Sequence, residues 1–408
     1  MRALALALLL SGACLPAAET RLSGNAELWG YATGTERAAD SPLNPDNRVA
    51  ELSRLAWTGE ARANLRLDLP RIEGVLRPRL VGQQDAGGAG SSEAYLGQAF
   101  ARIRLDDALV CTGGRDLLTW GPGNFRSPSH PIYYDAGRSN PLRDVSGVDL
   151  LRLNWTRGRL SLMLARVLDA GHLDRSVTPG RLTLGKVDLR ASRGLVSVVL
   201  ATPVWGAPFL GGYAQATPDD AWLVYGEIGS GRRPHALELD PAASGPPFAL
   251  RTPSGRHSTV LLGASYTLGN GQSIALEGLR DGHGLNRRDE ARFFARAGDL
   301  AGQYHATPEA GLLAALAQGV GAAPVPLGQS YASILWQSNP QEAGCYWRLS
   351  GNASLQDGSC QVLGYGEKSL SGRFTGFCSL TRNLGGARAE FGALVRTSLT
   401  LGFKYFAF

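Results

Sequence analysis

The sequence predicts an all-β fold: one antiparallel transmembrane β-barrel of about 18 strands, with a loop folded inward. Three observations predict it. The chain closes on an alternating strand. Strand-like segments recur from Gly24 onward, joined by short and long connections in turn. A secretory signal precedes a chain that has no helix-length apolar run.

The closing segment carries the clearest signal. Val395, Thr397, Leu399, Leu401, Phe403 and Tyr405 form one set; Arg396, Ser398, Thr400, Gly402 and Lys404 form the other. A period of two places these sets on opposite faces of a strand. Apolar toward lipid and polar toward a wet lumen is the pattern of a barrel wall. Phe406 and Phe408 fall on the wrong parity, so the strand should end, twist or bulge near Tyr405.

The same alternation recurs upstream. Ala61, Ala63, Leu65, Leu67 and Leu69 oppose Glu60, Arg62, Asn64, Arg66 and Asp68. Ala99, Ala101, Ile103 and Leu105 oppose Arg102, Arg104 and Asp106. Tyr346, Arg348, Ser350, Asn352 and Ser354 share a face; Trp222, Val224 and Ile228 oppose Tyr225 and Glu227. Leu160–Leu168 and Leu195–Leu200 are oily on both faces, as expected where a loop covers the lumen wall.

Short turns are expected at Pro70–Gly74, Asp106-Asp107, Arg157-Gly158, Arg193-Gly194, Pro218–Asp220, Gly269–Gly271, Pro340–Gly344 and Ser371-Gly372. Longer loops are expected at Thr33–Ala50, Asp85–Glu93, Gly121–Gly147, Asp169–Gly180, Gly231–Arg256 and Asp281–Gln329. Strict alternation of the two kinds gives about 18 strands, with 16 the fallback count. In the longest loop, Ala291–Ala301 and Thr307–Gln318 have helical composition.

The domain organisation is a signal peptide over residues 1–18 and a barrel over 19–408. Arg2, the apolar run Ala3–Leu10 and Pro16-Ala17-Ala18 form the signal. Cys14 follows Ser11-Gly12-Ala13, similar to a lipoprotein processing site. A Cys345–Cys360 bridge across a hairpin is conceivable in an oxidising compartment. The formal charge of +6 and the lack of a basic run interleaved with aromatics exclude a nucleic-acid partner. No Cys/His spacing fits a metal or haem, so no cofactor is expected.

The most particular stretch is Gly113–Gly147. A strand is expected to end at Trp120, where Gly121-Pro122-Gly123 breaks it. The long loop that follows holds Arg126, Tyr133, Tyr134, Arg138 and Arg143, together with His130. Loops of this length in compact folds are functional or disordered, and arginine with aromatics is not a disordered composition. Such a loop can fold into the lumen and narrow it. Ser129-His130 is no catalytic signal, because adjacent residues on an extended chain point apart; no enzyme is expected.

Gly114-Arg115-Asp116, then Trp120-Gly121-Pro122-Gly123, then Asn140-Pro141 before Gly147 resemble the alginate-export and capsule surface-assembly families of large outer-membrane barrels. The sequence departs from the capsule pattern after the WGPG motif. The resemblance implies a place in the bacterial outer membrane, contact with lipid and lipopolysaccharide, and insertion by the barrel-assembly machinery. It also implies passage for polar or anionic solutes or polysaccharide. The expected path-lining residues are Arg62, Arg66, Arg102, Arg104, Arg348 and Arg396 on the wall, and Arg115, Arg126, Tyr133, Tyr134, Arg138 and Arg143 in or beside the loop.

Overall fold

The computed structural model describes residues 20–407, apart from 136, 174–177, 205, 234, 240–246, 254 and 342–343. The signal peptide, Cys14 and Phe408 therefore lie outside the described residues.

Eighteen strands close into one antiparallel sheet. They are β1 (Arg21–Arg37), β2 (Leu55–Asp68), β3 (Ile72–Asp85), β4 (Gly90–Arg104), β5 (Leu109–Asp116), β6 (Val148–Arg157), β7 (Leu160–Asp169), β8 (Leu182–Ala191), β9 (Gly194–Val204), β10 (Ala207–Ala216) and β11 (Trp222–Gly231). After a small loop hairpin, β12 (Ala236–Glu238) with β13 (Ala249–Arg251), the wall continues. It runs through β14 (His257–Thr267), β15 (Ser273–Asp281), β16 (Ser330–Gln337), β17 (Cys345–Ser354), β18 (Cys360–Ser369), β19 (Phe374–Leu384) and β20 (Val395–Phe406). Each strand pairs with its neighbour in sequence, and β20 pairs with β1 from Glu27↔Phe406 to Arg37↔Val395, which closes the cylinder. Closure leaves no edge, so every strand finds ladder partners without water.

The alternation read from the closing segment is realised. Leu399, Leu401 and Phe403 stand exposed outside, while Thr400 is buried and Lys404 half-buried inside. Leu22, Leu80, Leu164, Leu189, Leu262 and Leu276 continue the exposed apolar skin around the barrel. At the short-turn end this skin carries outward aromatic pairs: Trp222 with Tyr266, Trp336 with Trp347 and Phe374 with Tyr405, at centroid separations of 4.9, 5.0 and 5.0 Å. An apolar band with an aromatic girdle is stable only in a bilayer, and closed barrels of this kind belong to the bacterial outer membrane. The short turns mark the periplasmic end and the long loops the external end.

Several expectations need correction. The first four strands are 14 to 17 residues long rather than about ten. Strand β1 therefore takes in Thr33–Arg37, and the loop expected over Asp85–Glu93 shrinks to residues 86–89, because those segments continue the ladder. The strand expected to reach Trp120 stops at Asp116. Cys345 begins β17 at the periplasmic end and Cys360 begins β18 at the external end, so antiparallel pairing sets them at opposite ends and both stay free. β4 bulges at Gly97, where Arg77 faces Gln98 but Pro78 faces Leu96; proline lacks the donor a regular ladder would need there.

Two helices fill the longest loop, α1 (Arg287–Ala306) and α2 (Ala310–Ala322). Asn286 caps α1, its side chain accepting from the N–H groups of Arg288 and Asp289. Phe293, Phe294 and Leu300 of α1 and Leu316 of α2 pack with Leu43, Leu237, Phe248 and Ala393 from other external loops. The barrel thus has a second apolar core, outside the membrane, that ties its external loops into a cap.

Candidate functional site

The connection between β5 and β6, residues 117–147, turns into the barrel instead of rising from it. Its first contact is apolar. Leu118, Trp120, Ile132 and Tyr133 are buried against the inward side chains Val148, Leu150, Val167, Leu182, Leu184 and Val199. This is why β7 and β9 read as oily on both faces: one face meets lipid and the other meets the loop.

Its second contact is polar. Glu227 on β11, 2% exposed, accepts from the Gly123 N–H at 2.7 Å and from the hydroxyls of Ser127 and Ser129 at 2.9 and 2.7 Å. Glu277 on β15 accepts from the N–H groups of Asn124 and Phe125 at 2.6 and 2.8 Å, and from the Tyr225 hydroxyl at 2.6 Å. Two buried carboxylates thus grip the loop through neutral donors, the arrangement that makes a buried charge tolerable. The Trp-Gly-Pro-Gly motif follows from that grip. Gly121 has φ +80°, and a Cβ there would stand 2.6 Å from Glu227 Oε1. The seat on the wall is equally close: a Cβ on Gly229 would stand 1.9 Å from the Pro128 carbonyl oxygen. Trp120 itself is an anchor, stacked on His130 at a centroid distance of 3.7 Å.

The loop then crosses to the opposite wall. Arg79 Nε on β3 donates to Asp144 Oδ2 at 2.6 Å, and Ser146 Oγ donates to the Gly97 carbonyl at 3.3 Å. Leu142 packs on Trp29, Leu363, Tyr365 and Phe377. Tyr134 donates to Asp281 Oδ2 at 2.8 Å. Burial, and then Asp281, hold the Tyr134 hydroxyl well above its ordinary pKa. His130 sits inside the loop: its Nδ1 accepts from the N–H groups of Ile132 and Tyr133, and its Nε2 meets the Leu118 carbonyl. Burial lowers its pKa to about 3, so it is a neutral structural knot.

The expected cations divide by position. Arg62 faces the bore, bound to Glu60 at 2.6 Å and stacked 3.7 Å from the Trp29 ring; Arg102 faces it bound to Glu73 at 2.7 Å. Arg66 and Arg104 stand inward at the periplasmic end, Arg66 beside Asp68 and Glu73. Arg348 and Arg396 also face inward; Arg396 donates to the Gly385 carbonyl, and neither forms a salt bridge among the described residues. Two loop arginines staple the loop instead of lining a path. Arg138 donates to the carbonyls of Gly121 and Gly123, and Arg126 donates to the Phe125 carbonyl with its guanidinium 4.5 Å from that ring. Arg143 is the exposed loop cation, paired with Asp135 at 2.8 Å. Arg115 lies on the outer parity of β5, bidentate to Asp149 at 2.7 and 2.9 Å near the external rim, so it does not line the bore.

Sequence reading missed Arg79, Arg152, Lys186 and Glu277. Arg152 binds Asp116 at 2.6 Å, and Lys186 pairs with Asp188 on the inner wall of β8. Parity along Val148–Arg157 or Ser273–Asp281 could have placed Arg152 and Glu277, but their inward sets also hold Val148, Leu150, Ala275 and Leu279, which blur the signal.

No family model matches the chain, and no curated protein matches it. Solved structures do match the fold. The chain is similar to OccK11 (OpdR) of Pseudomonas aeruginosa, at 13% identity, covering 94% of this chain and 95% of that one, with a TM-score of 0.52. It is similar to OccAB4 of Acinetobacter baumannii at 7% identity, 96% and 99% coverage and a TM-score of 0.53. A porin of Rhodopseudomonas blastica superposes at a TM-score of 0.43 with 11% identity and coverage of 95% and 100%.

Proposed function

We propose that this barrel is a diffusion channel of the outer membrane for polar, anionic solutes, with residues 117–147 as its constriction. One observation carries the reading: a long loop is pinned across the inside of a closed barrel by buried wall carboxylates. The loop narrows a bore instead of decorating a surface. The anionic part of the reading is supported by the charges left facing the bore. Glu227 and Glu277 are buried behind the loop and Asp281 is paired with Arg233, while Arg348 and Arg396 face the bore and form no salt bridge among the described residues. Rings of guanidinium groups favour anions in pores.

Single-channel recording in planar bilayers tests this. A steady current whose reversal potential under a KCl gradient shows chloride preference supports the channel, and Arg348→Gln with Arg396→Gln should reduce that preference. Cation preference, or selectivity unchanged by the pair of substitutions, overturns the anionic reading. The apolar cap formed by α1, α2 and their neighbours favours a second reading, a barrel sealed at its mouth that binds or anchors polysaccharide. A folded barrel that passes no current selects it.

A further inference from the structure

Three external segments meet at one point of the rim, and each brings a carboxyl group. Glu290 comes from the first turn of α1, Asp357 from the turn between β17 and β18, and Glu390 from the connection between β19 and β20. Glu290 is 4% exposed. Gln356 ties it to the rim: its Nε2 donates to Glu290 Oε2 at 3.0 Å and to the Leu285 carbonyl at 3.1 Å. Asp357 Oδ2 accepts from the Glu390 N–H, and Asp357 Oδ1 from the Ser359 N–H, both at 2.8 Å. Glu390 Oε1 accepts from the Leu327 N–H at 2.8 Å, and its Oε2 accepts from the Tyr331 hydroxyl.

None of the three carboxyls forms a salt bridge among the described residues. Arg292 on α1 is paired with Asp289. Arg388, on the same connection as Glu390, lies against Gly298, about 12 Å along the helix from Glu290. A bound metal does not supply the missing charge, because no three His, Cys, Asp or Glu side chains stand at metal-holding spacing among the described residues. Glu290 Oε1 is buried without a donor, and the group beside Glu290 is a second carboxyl, Asp357. Two ionised carboxyls in contact repel; one proton between them turns the contact into a hydrogen bond. That proton belongs on Glu290. Burial, and then Asp357, raise Glu290 to about 7, and burial also raises Glu390. At Asp357 burial is outweighed by the N–H groups of Glu390 and Ser359, which hold it below its ordinary range.

We propose that this cluster is a proton-operated latch on the mouth of the barrel: one proton shared between Glu290 and Asp357 holds α1 on the rim, and its loss drives α1 off and widens entry to the bore. That release widens entry rests on the channel reading; the latch itself does not.

Single-channel recording with both sides stepped from pH 5 to pH 8 tests it. In the wild type the ratio of open to closed time should rise on the order of tens-fold, since release returns Glu290 from about 7 to its ordinary 4.5. Glu290→Gln, whose amide always carries a hydrogen, should stay at the acid level throughout. Asp299→Asn, exposed on the same helix, should follow the wild type. A wild type indifferent to pH, a Glu290→Gln barrel that follows it, or an Asp299→Asn barrel as flat as Glu290→Gln overturns the proposal. A barrel silent at every pH takes down the channel reading, and hydrogen-exchange protection across α1 then decides the latch. Protection that falls with pH in the wild type but not in Glu290→Gln keeps the latch; equal profiles overturn it.

Discussion

Two stretches of the inner wall obey different rules. Under the loop, at the external ends of β6 to β9, the inward positions are Val148, Leu150, Ala165, Val167, Leu182, Leu184, Val199 and Ala201, all fully buried. Across the bore, on β1, β2, β18 and β20, they are Trp29, Glu60, Arg62, Tyr365, Glu367 and Lys404, linked by ion pairs and by Lys404 lying 4.4 Å from the Trp29 ring. The outer skin is apolar over both stretches, so the difference is set by what covers the inside. Where a loop lies on the wall, water is gone and apolar side chains win; where the bore is wet, charges are retained and paired.

The comparison can be broken most directly at the seat of the loop. Val167→Asp should bury an uncompensated charge at a cost of several kcal/mol, whereas Ser398→Asp, inward on the opposite wall, should cost less than about 1 kcal/mol. Heat-modifiable gel mobility in detergent, followed against temperature, reads both, and equal losses would mean that the two walls do not differ in wetness.

Removing the clasp should come next in size. Glu227→Ala leaves the Gly123 N–H and the Ser127 and Ser129 hydroxyls without their acceptor, each at about 1–3 kcal/mol while buried. The loop should detach, single-channel conductance should rise, and protease should cut between residues 121 and 134. A wild-type conductance would show that the apolar seat alone holds the loop.

A smaller effect is expected at the cap. Burial, and then Asp357, raise the Glu290 carboxyl from its ordinary 4.5 to about 7. A raised carboxyl favours the protonated folded form, so its contribution is full below about 4.5 and is lost as pH rises through about 7. Once the intrinsic base-catalysed acceleration is divided out, hydrogen-exchange protection across α1 should therefore fall between pH 5 and 8 in the wild type and stay constant in Glu290→Gln. An identical pH dependence in both would place the titrating group elsewhere.

The smallest effect should come from the wet wall. Arg66→Gln breaks the pair with Asp68 but leaves solvent to screen what remains, so stability should change by about 1 kcal/mol or less. Chloride preference should shift modestly, and more at low salt than at high salt.

Much of the fold could be read from local pattern. The alternation in Val395–Tyr405 and the eight short turns fixed the wall, because a side chain's parity on a strand is set by neighbours two residues away. The helices in the longest loop were also visible, though each extends beyond the expected bounds. The site was legible only in outline. Trp120–Gly123 marked the loop as special, but its partner Glu227 lies about a hundred residues away, and nothing local told Glu227 or Glu277 apart from an ordinary lumen carboxylate. Arg115 showed the limit from the other side: its parity on β5 depended on where the strand began, and Gly113 and Gly114 carry no pattern to count from.

By itself the sequence determined the barrel, its approximate strand count and which faces meet lipid, since those follow from composition at intervals of two. Only the tertiary structure decided where the loop lands, which carboxylates hold it and which arginines are consumed as staples. Those outcomes depend on contacts between residues far apart in the chain, and a pattern of near neighbours carries no record of them.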